Sequence, residues 1–368
     1  IGRHTLQIQS NQTNKYEKFC WQHLHFLSSI ITTMNLFSRL ALTVVLLSFS
    51  VILAGGVVRM TGSGMGCPDW PKCFGQYIPP TDISQLPPNY KLQFAVKGKE
   101  IADFDAFKTW VEYINRLLGA ILGVAIVALT ALSVRWRRYD ISLPLLSIAL
   151  LLVTGFVGWL GSVVVATDLE PVKITLHMLT SVIIVGLATT ILHRARILQK
   201  SSGTETIPFK HTVPQFTLAI PQKLWGVIIL ALVLTLVQIV LGTQVREQID
   251  IVAKQLEGRW RERWIEQLDT AFFVHRSISW FVVLVNAILI WYCVRLVGIR
   301  TEQSALELRR LLMGLATVIV VEISLGIIMA YFAVPKLAQP LHLLSAMVLF
   351  AIQFKSLLLL IEIRARVR

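Results

Sequence analysis

The amino-acid sequence predicts an all-α polytopic membrane protein, with eight transmembrane helices arranged as two pseudo-symmetric four-helix bundles. Composition is the first ground: 55% of the 368 residues are hydrophobic, 15% are charged and the mean hydropathy is +0.65, well outside the balance of a water-soluble domain. The second is a series of uncharged stretches long enough to cross a bilayer as helix, and the third is an internal repeat of polar residues at corresponding places. A net charge of +14, from 35 Lys and Arg against 21 Asp and Glu, is in such a chain first a signal of topology. No basic stripe interleaved with aromatics occurs, which sets nucleic acid aside as a partner. Four cysteines are too few for a disulfide scaffold, and only Cys67 and Cys73 are close enough for a local pair.

Residues 1–33 are rich in Gln, Asn, Thr and Ser and lack the apolar core of a signal peptide. They are expected to be a disordered or non-native extension in which His4, Cys20, His23 and His25 carry no function. Met34-Asn35-Leu36-Phe37-Ser38-Arg39 has the look of an ordinary start before a first span. Stretches free of Asp, Glu, Lys and Arg run over 40–58, 117–134, 141–167, 174–193, 224–245 and 277–294. Each is near or above the ~18–20 residues that span a bilayer. Two more, 311–335 and 340–361, are interrupted only by Glu322 and by Lys355.

Basic residues crowd alternate connections: Arg135, Arg137 and Arg138, the segments 194–223 and 295–310, and the tail Arg364, Arg366 and Arg368. The positive-inside rule places these, and both termini, in the cytoplasm, as in a bacterial inner membrane. Loops 59–110 and 246–270 match bases with acids and face outward, as do the short connections near 168 and 336. The chain thus divides into an N-terminal bundle at 34–200, a cytoplasmic linker at 201–223 and a C-terminal bundle at 224–368.

The two halves correspond. Ile114-Asn115-Arg116 opens the second span as Val274-His275-Arg276 opens the sixth. Glu170-Pro171 leads to Leu176-His177 as Gln339-Pro340 leads to Leu341-His342, while Val57-Val58-Arg59 and Gln244-Val245-Arg246 close the first and fifth spans. With four spans each, both halves insert in the same orientation, related by an axis along the membrane normal.

His177, His275 and His342 fall in the first turns of helices that descend from the outward face, and Asn115 sits at the matching place in the second span. Imidazoles on facing helices are what a six-coordinate haem requires, with the macrocycle filling the slot between helices. Polar groups in a bilayer are costly without a role, and their repeated placement favours iron ligation over helix-contact hydrogen bonding. Arg59, Arg116, Arg246 and Arg276 share the outer boundary, where guanidinium groups suit haem propionates. Arg59 and Arg246, at equivalent positions, are the better anchors.

Gly55-Gly56-Val57-Val58-Arg59-Met60-Thr61-Gly62-Ser63-Gly64, then Cys67-Pro68-Asp69-Trp70-Pro71-Lys72-Cys73, Glu112-Tyr113-Ile114-Asn115-Arg116, Leu176-His177, Val274-His275-Arg276 and Leu341-His342 together resemble heme A synthase, over residues 36–361. The resemblance implies an oxidoreductase that converts the C8 methyl group of heme O to a formyl group by successive hydroxylations, for cytochrome oxidase. It also implies a prosthetic haem b in the C-terminal bundle, on His275 and His342 with Arg246 and Arg276, and heme O in the N-terminal bundle, near His177, Asn115, Arg59 and Arg116. A heme O synthase, oxidase assembly factors and membrane lipid are the implied partners, alongside an unidentified electron acceptor. The family's usual E-x-x-H-R reads here with asparagine at 115, which leaves His177 as the imidazole of the substrate half.

Glu112 is one turn from Asn115, whereas Phe272 holds the equivalent place in the second half. A carboxylate beside one slot and an aromatic ring beside the other mark the first slot as the reactive one, with Glu112 stabilising positive charge or moving a proton. The competing reading pairs Glu112 with Arg116 as a structural ion pair. Cys67 and Cys73 lie in an outward loop where oxidising conditions permit a disulfide, and no nearby His completes a zinc site. The resemblance adds a redox role for the pair. Glu322 is expected to hydrogen-bond between helices in its protonated form, and Gln238 resembles it, since each precedes a glycine by four residues. Cys293 reads as a small buried hydrophobe.

A bis-histidine membrane cytochrome b carrying electrons is the alternative function, and a secondary transporter a third. Electron transfer across the membrane calls for haems at two depths, and transporters break paired helices at midplane; neither pattern occurs. Reporter fusions at Arg137, near residues 200 and 300, and at the C-terminus are expected to be inactive for a periplasm-dependent reporter. Activity at Arg137 or the C-terminus overturns this topology.

Overall fold

The structure, a computed structural model, describes residues 34–202, 220–298 and 302–367. His4, Cys20, His23 and His25, most of the 201–223 linker and Arg368 lie outside the described residues. Among the described residues there is no strand, and eight helices are long and apolar enough to cross a membrane. They are α1 (Met34–Met60), α2 (Ala106–Trp136), α3 (Ser142–Ala166), α4 (Pro171–Lys200), α5 (Gln222–Gln255), α6 (Thr270–Val297), α7 (Gln303–Tyr331) and α8 (Ala338–Ala365). An even number of crossings returns both ends to the same side.

Helical ends follow local chemistry. Asp105 caps α2 by accepting from the Lys108 amide at 3.1 Å, and Asp269 caps α6 by accepting from the Ala271 amide at 2.9 Å. Pro171 starts α4 at the one helical position where a missing N–H is free of cost. Gly298, with φ of 51°, follows the last residue of α6 in a conformation closed to most side chains.

Helix α5 overruns the apolar stretch that announced it. α5 continues ten residues past Val245, through Arg246, Asp250 and Lys254, so the outward loop read as 246–270 is helical to Gln255. Arg246 is accordingly inside a helix and not at its end. Charge does not stop a helix once it leaves hydrocarbon, because the backbone remains satisfied internally.

Each half has its own apolar core. One gathers Phe37, Val44, Ile126, Leu129, Leu150 and Ile191 from α1 to α4, the other Leu224, Ile228, Leu289, Leu308, Leu315 and Leu360 from α5 to α8. This division is compatible with two related bundles. A third cluster, with Val182, Val185, Ile239, Met347 and Phe350 buried, joins α4 to α5 and α8 between the halves. Gly56 brings α1 so near α8 that a Cβ there would lie 2.9 Å from Pro340. Thr175 of α4 and Thr243 of α5 meet at 3.1 Å.

Toward the basic side the halves are clasped by charge. Lys355 of α8 is 2.6 Å from His193 of α4 and 3.0 Å from Glu307 of α7, and Lys200 of α4 reaches Glu307 at 3.5 Å. Arg194 holds Asp140, between α2 and α3, at 2.8 Å. Partial burial alone would push the Asp140 carboxyl up, but hydrogen bonds from Arg194 and Ser142 outweigh it and hold the group below the usual carboxylate range. At the opposite end, residues 61–105 fold over the N-terminal half around Phe74, Leu86 and Tyr90, with Phe94 and Phe104 packed edge-on to Phe74.

Candidate functional site

The polar residues singled out in the even-numbered helices all meet a glycine of the preceding helix. A Cβ on Gly161 of α3 would lie 3.3 Å from His177 Cε1, and one on Gly242 of α5 3.5 Å from His275 Cε1. The same construction puts Gly326 of α7 3.8 Å from His342 Cε1 and Gly55 of α1 3.9 Å from Asn115 Oδ1. Four helical hairpins thus repeat one contact near the outward ends of their helices. Glycine leaves room for the ring edge to lie on the helix, and the Nδ1 atoms of His177, His275 and His342 are buried there without an aligned hydrogen bond. Nε2, on the far edge of each ring, is left for another partner. Sequence analysis noted Gly242 and Gly326 only as neighbours of Gln238 and Glu322 and missed these contacts; the signal was that the same number of residues separates Gly161 from His177 and Gly326 from His342.

His275 and His342 face each other with ring centroids 6.4 Å apart and planes 78° from parallel. At about 2 Å per metal–nitrogen bond, two imidazoles on opposite sides of one metal separate their centres by roughly 6 Å. These residues therefore fit ligation of a haem iron through Nε2, since their Nδ1 atoms lie buried against the neighbouring helix. Gln238 of α5 donates to the His275 carbonyl at 2.9 Å, and Glu322 of α7 lies 3.2 Å from His342 Nδ1. Ser345 also donates to Glu322, so this carboxylate does link helices, as its position in the sequence suggested.

Residues 38–354 match the family COX15-CtaA, described as cytochrome oxidase assembly protein. The chain belongs to this family. It is 30% identical to the heme A synthase of Shewanella oneidensis over 40% of the chain and 42% of that protein. It is 34% identical to the one from Bartonella bacilliformis over 32% and 35%. The aligned part is thus less than half of either relative. The heme A synthase of Methylorubrum extorquens is matched at 26% identity over 81% of the chain and 80% of the relative.

The residues expected on the substrate side are divided between two tasks. Glu112, only 4% exposed, accepts from the Cys67 amide at 2.9 Å and from Arg116 Nη2 at 2.6 Å. Arg116 also donates to the carbonyls of Cys67, Asp69 and Lys72 at 2.7, 2.6 and 3.0 Å. Cys67 and Cys73 are joined by a disulfide, which removes zinc ligation by their thiolates. Thr109 donates to the Gly66 carbonyl at 2.9 Å, and a Cβ on Gly66 would sit 2.5 Å from the Lys108 carbonyl oxygen, so the loop lies flat on α2. The ion pair is therefore real, and its purpose is to hold the disulfide loop over the first slot.

Arg59 and Arg246 meet each other instead of standing apart over two slots. Asp250 bridges them at 3.1 and 2.7 Å, and Arg246 further reaches Gln339 at 2.5 Å and the Arg59 carbonyl at 3.4 Å. Asp250 escaped the sequence reading because it was assigned to a loop, and Gln339 was read only as a member of the repeat. Arg246 Nε remains buried and unpartnered, so one donor is still on offer. Arg276 is exposed, and Phe272 packs beside Ile249, Val252 and Trp264.

Replacing Arg116 with lysine exchanges a fork that reaches three carbonyls and a carboxylate for a single ammonium. The buried Glu112 then loses its aligned partner, at about 3–5 kcal/mol. Limited proteolysis and hydrogen exchange should show the 67–76 segment opening while the C-terminal half stays protected.

Proposed function

We propose that this chain is a heme A synthase, oxidising the C8 methyl group of heme O to a formyl group by successive hydroxylations. The observation that carries it is the opposed pair His275 and His342 in a chain of this family, with a second outward slot around His177 and Asn115 in the other half. The reading treats 34–200 as the substrate half and 224–368 as the half that holds haem b. His275 and His342 would hold haem b, with Arg246, which has a spare Nε donor, and Arg276 available to its propionates. When bound, haem b would supply one-electron redox chemistry.

In the substrate half, His177 offers one imidazole to heme O. Asn115 offers an amide oxygen that is buried and unpaired but a weak ligand to iron, which leaves one face of the substrate without a second imidazole. Arg59 acts from the junction of the halves, tied to Asp250. Glu112 is the reactive-side carboxylate, about 5 Å along the helix from Asn115. Arg116 offsets much of its charge, so Glu112 works as a fixed acceptor that ties the slot to the Cys67–Cys73 loop, through which a redox partner would act. Supply by a heme O synthase and hand-over to oxidase assembly factors follow from the chemistry of substrate and product. The same reading puts the chain in a bacterial inner membrane with both termini cytoplasmic.

Pigment extraction from the purified protein should yield haem b together with heme O or heme A; stoichiometric haem b alone would identify an electron carrier instead. His275→Ala should abolish the low-spin spectrum of the tightly held haem, and an unchanged spectrum refutes the ligand assignment.

For Glu112→Gln, haem b should be retained while heme A output falls on the order of a hundredfold and heme O or a partly oxidised product accumulates. Normal heme A yield removes Glu112 from the reaction. Lost yield with the 67–76 loop still protected from proteolysis assigns it a chemical role, and lost yield with an open loop assigns it the role of a support.

A further inference from the structure

The four glycine contacts define a common register, and the residue one turn before each glycine differs between hairpins. These residues are Val51, Val157, Gln238 and Glu322, preceding Gly55, Gly161, Gly242 and Gly326. In the N-terminal half both are valine; in the C-terminal half both are polar and both reach the histidine of their own hairpin. Gln238 donates to the His275 main chain at 2.9 Å. Glu322 Oε1 lies 3.2 Å from His342 Nδ1, an approach at ion-pair distance. The other oxygen, Oε2, accepts from Ser345, whose hydroxyl is also 3.0 Å from the His342 carbonyl, so both carboxylate oxygens meet the same face of α8. Among the described residues Glu322 is the sole acid in the middle of a span.

We propose that Glu322 is a positioning residue for haem: it takes the Nδ1 hydrogen of His342, fixes the tautomer that presents Nε2 to the iron, and lowers the midpoint potential of that haem. This rests on the reading of His342 as an axial ligand. A carboxylate behind an imidazole makes the ring a stronger electron donor and orients it. Electron donation and nearby negative charge both favour the ferric state, and hydrogen bonding to the axial ligand is one of the levers a protein has on haem potential. His177 has Val157 at the same place in the register and lacks this support. The chain therefore separates its two haem positions chemically: the imidazole of His342 is backed by a carboxylate, whereas that of His177 has only the helix backbone at Val157 behind it.

The test uses the full-length protein purified in detergent with its haem, comparing the parent with Glu322→Gln and Glu322→Val by haem content, optical redox titration and electron paramagnetic resonance of the oxidised form. Glutamine keeps the shape and an acceptor but loses the charge, and valine reproduces position 157. The midpoint potential should rise in the order parent, Glu322→Gln, Glu322→Val, with the low-spin g-values moving toward those of a neutral bis-imidazole haem. If the valine variant fails to fold or loses haem, an upward shift in the glutamine variant alone supports the proposal. Full haem content with an unchanged potential and unchanged g-values in Glu322→Gln overturns it, as does loss of haem from both variants with no shift in what remains. Retention of the parent spectrum in His342→Ala would instead overturn the ligand assignment, and is recognised because it involves no change at Glu322.

Discussion

An imidazole or a primary amide inside a bilayer has no water to satisfy it, and its surroundings must either bond it or hold it for something that will. In this protein that constraint is met by one contact repeated four times, a polar side chain of an even helix laid against a glycine of the helix before it. The contact accounts for the outward location of the slots, since each glycine and each polar residue lies toward the outward ends of its helices. It also explains why the rings leave only their far nitrogen free. Close approach between helices through small residues is the ordinary means of packing in membranes, where the hydrophobic effect does not draw helices together. Here the space that glycine leaves is filled by a ring instead of by the partner's backbone.

Around that frame, charged groups are placed where they brace and not where they stand alone. Arg116 collects three loop carbonyls and Glu112, and so converts a disulfide hairpin into a lid resting on α2. Asp250 draws Arg59 and Arg246 into one network across the junction of the halves, although each belongs to a different half. On the far side of the membrane Lys355, Glu307, His193 and Lys200 make a second junction. The two halves are therefore fastened at both surfaces by ions and in the middle by apolar packing and one threonine pair.

Much of this was legible in the sequence because hydrocarbon imposes a simple rule: long uncharged runs must be helices. The eight spans, the grouping of the histidines near the starts of their helices and the proximity of Cys67 to Cys73 followed from that rule and from spacing. Outside the bilayer the rule lapses, which is why the helical stretch from Arg246 to Gln255 read as loop and Asp250 as loop charge. Arg59 and Arg246 share a place in the repeat, and repeat logic assigned them parallel roles over separate slots. Symmetry gives equivalent environments within each half and says nothing of the junction, where equivalent residues come face to face. Glu112 with Arg116 was visible as a pair at helical spacing, yet the carbonyls that complete it come from a loop more than forty residues earlier, beyond any local pattern.

Duplication explains the similarity of the two halves, and function must account for their departures from it. Three departures cluster at the slots: Asn115 against His275, Glu112 against Phe272, and Val157 against Glu322. Asn115 gives way to an imidazole, Glu112 to an aromatic ring and Val157 to a carboxylate, so the carboxylate stands in a different place in each half. The C-terminal slot has two facing imidazoles, one of them backed by a carboxylate, and apolar packing above. The N-terminal slot has one imidazole, an amide in place of the second, and a carboxylate turned toward a disulfide loop. A site that must keep a group gains from every added bond to the ligands; a site that must release its product cannot bind it equally well throughout the reaction. The same bundle, with a few polar residues exchanged, can hold one haem as a part and treat another as a passenger.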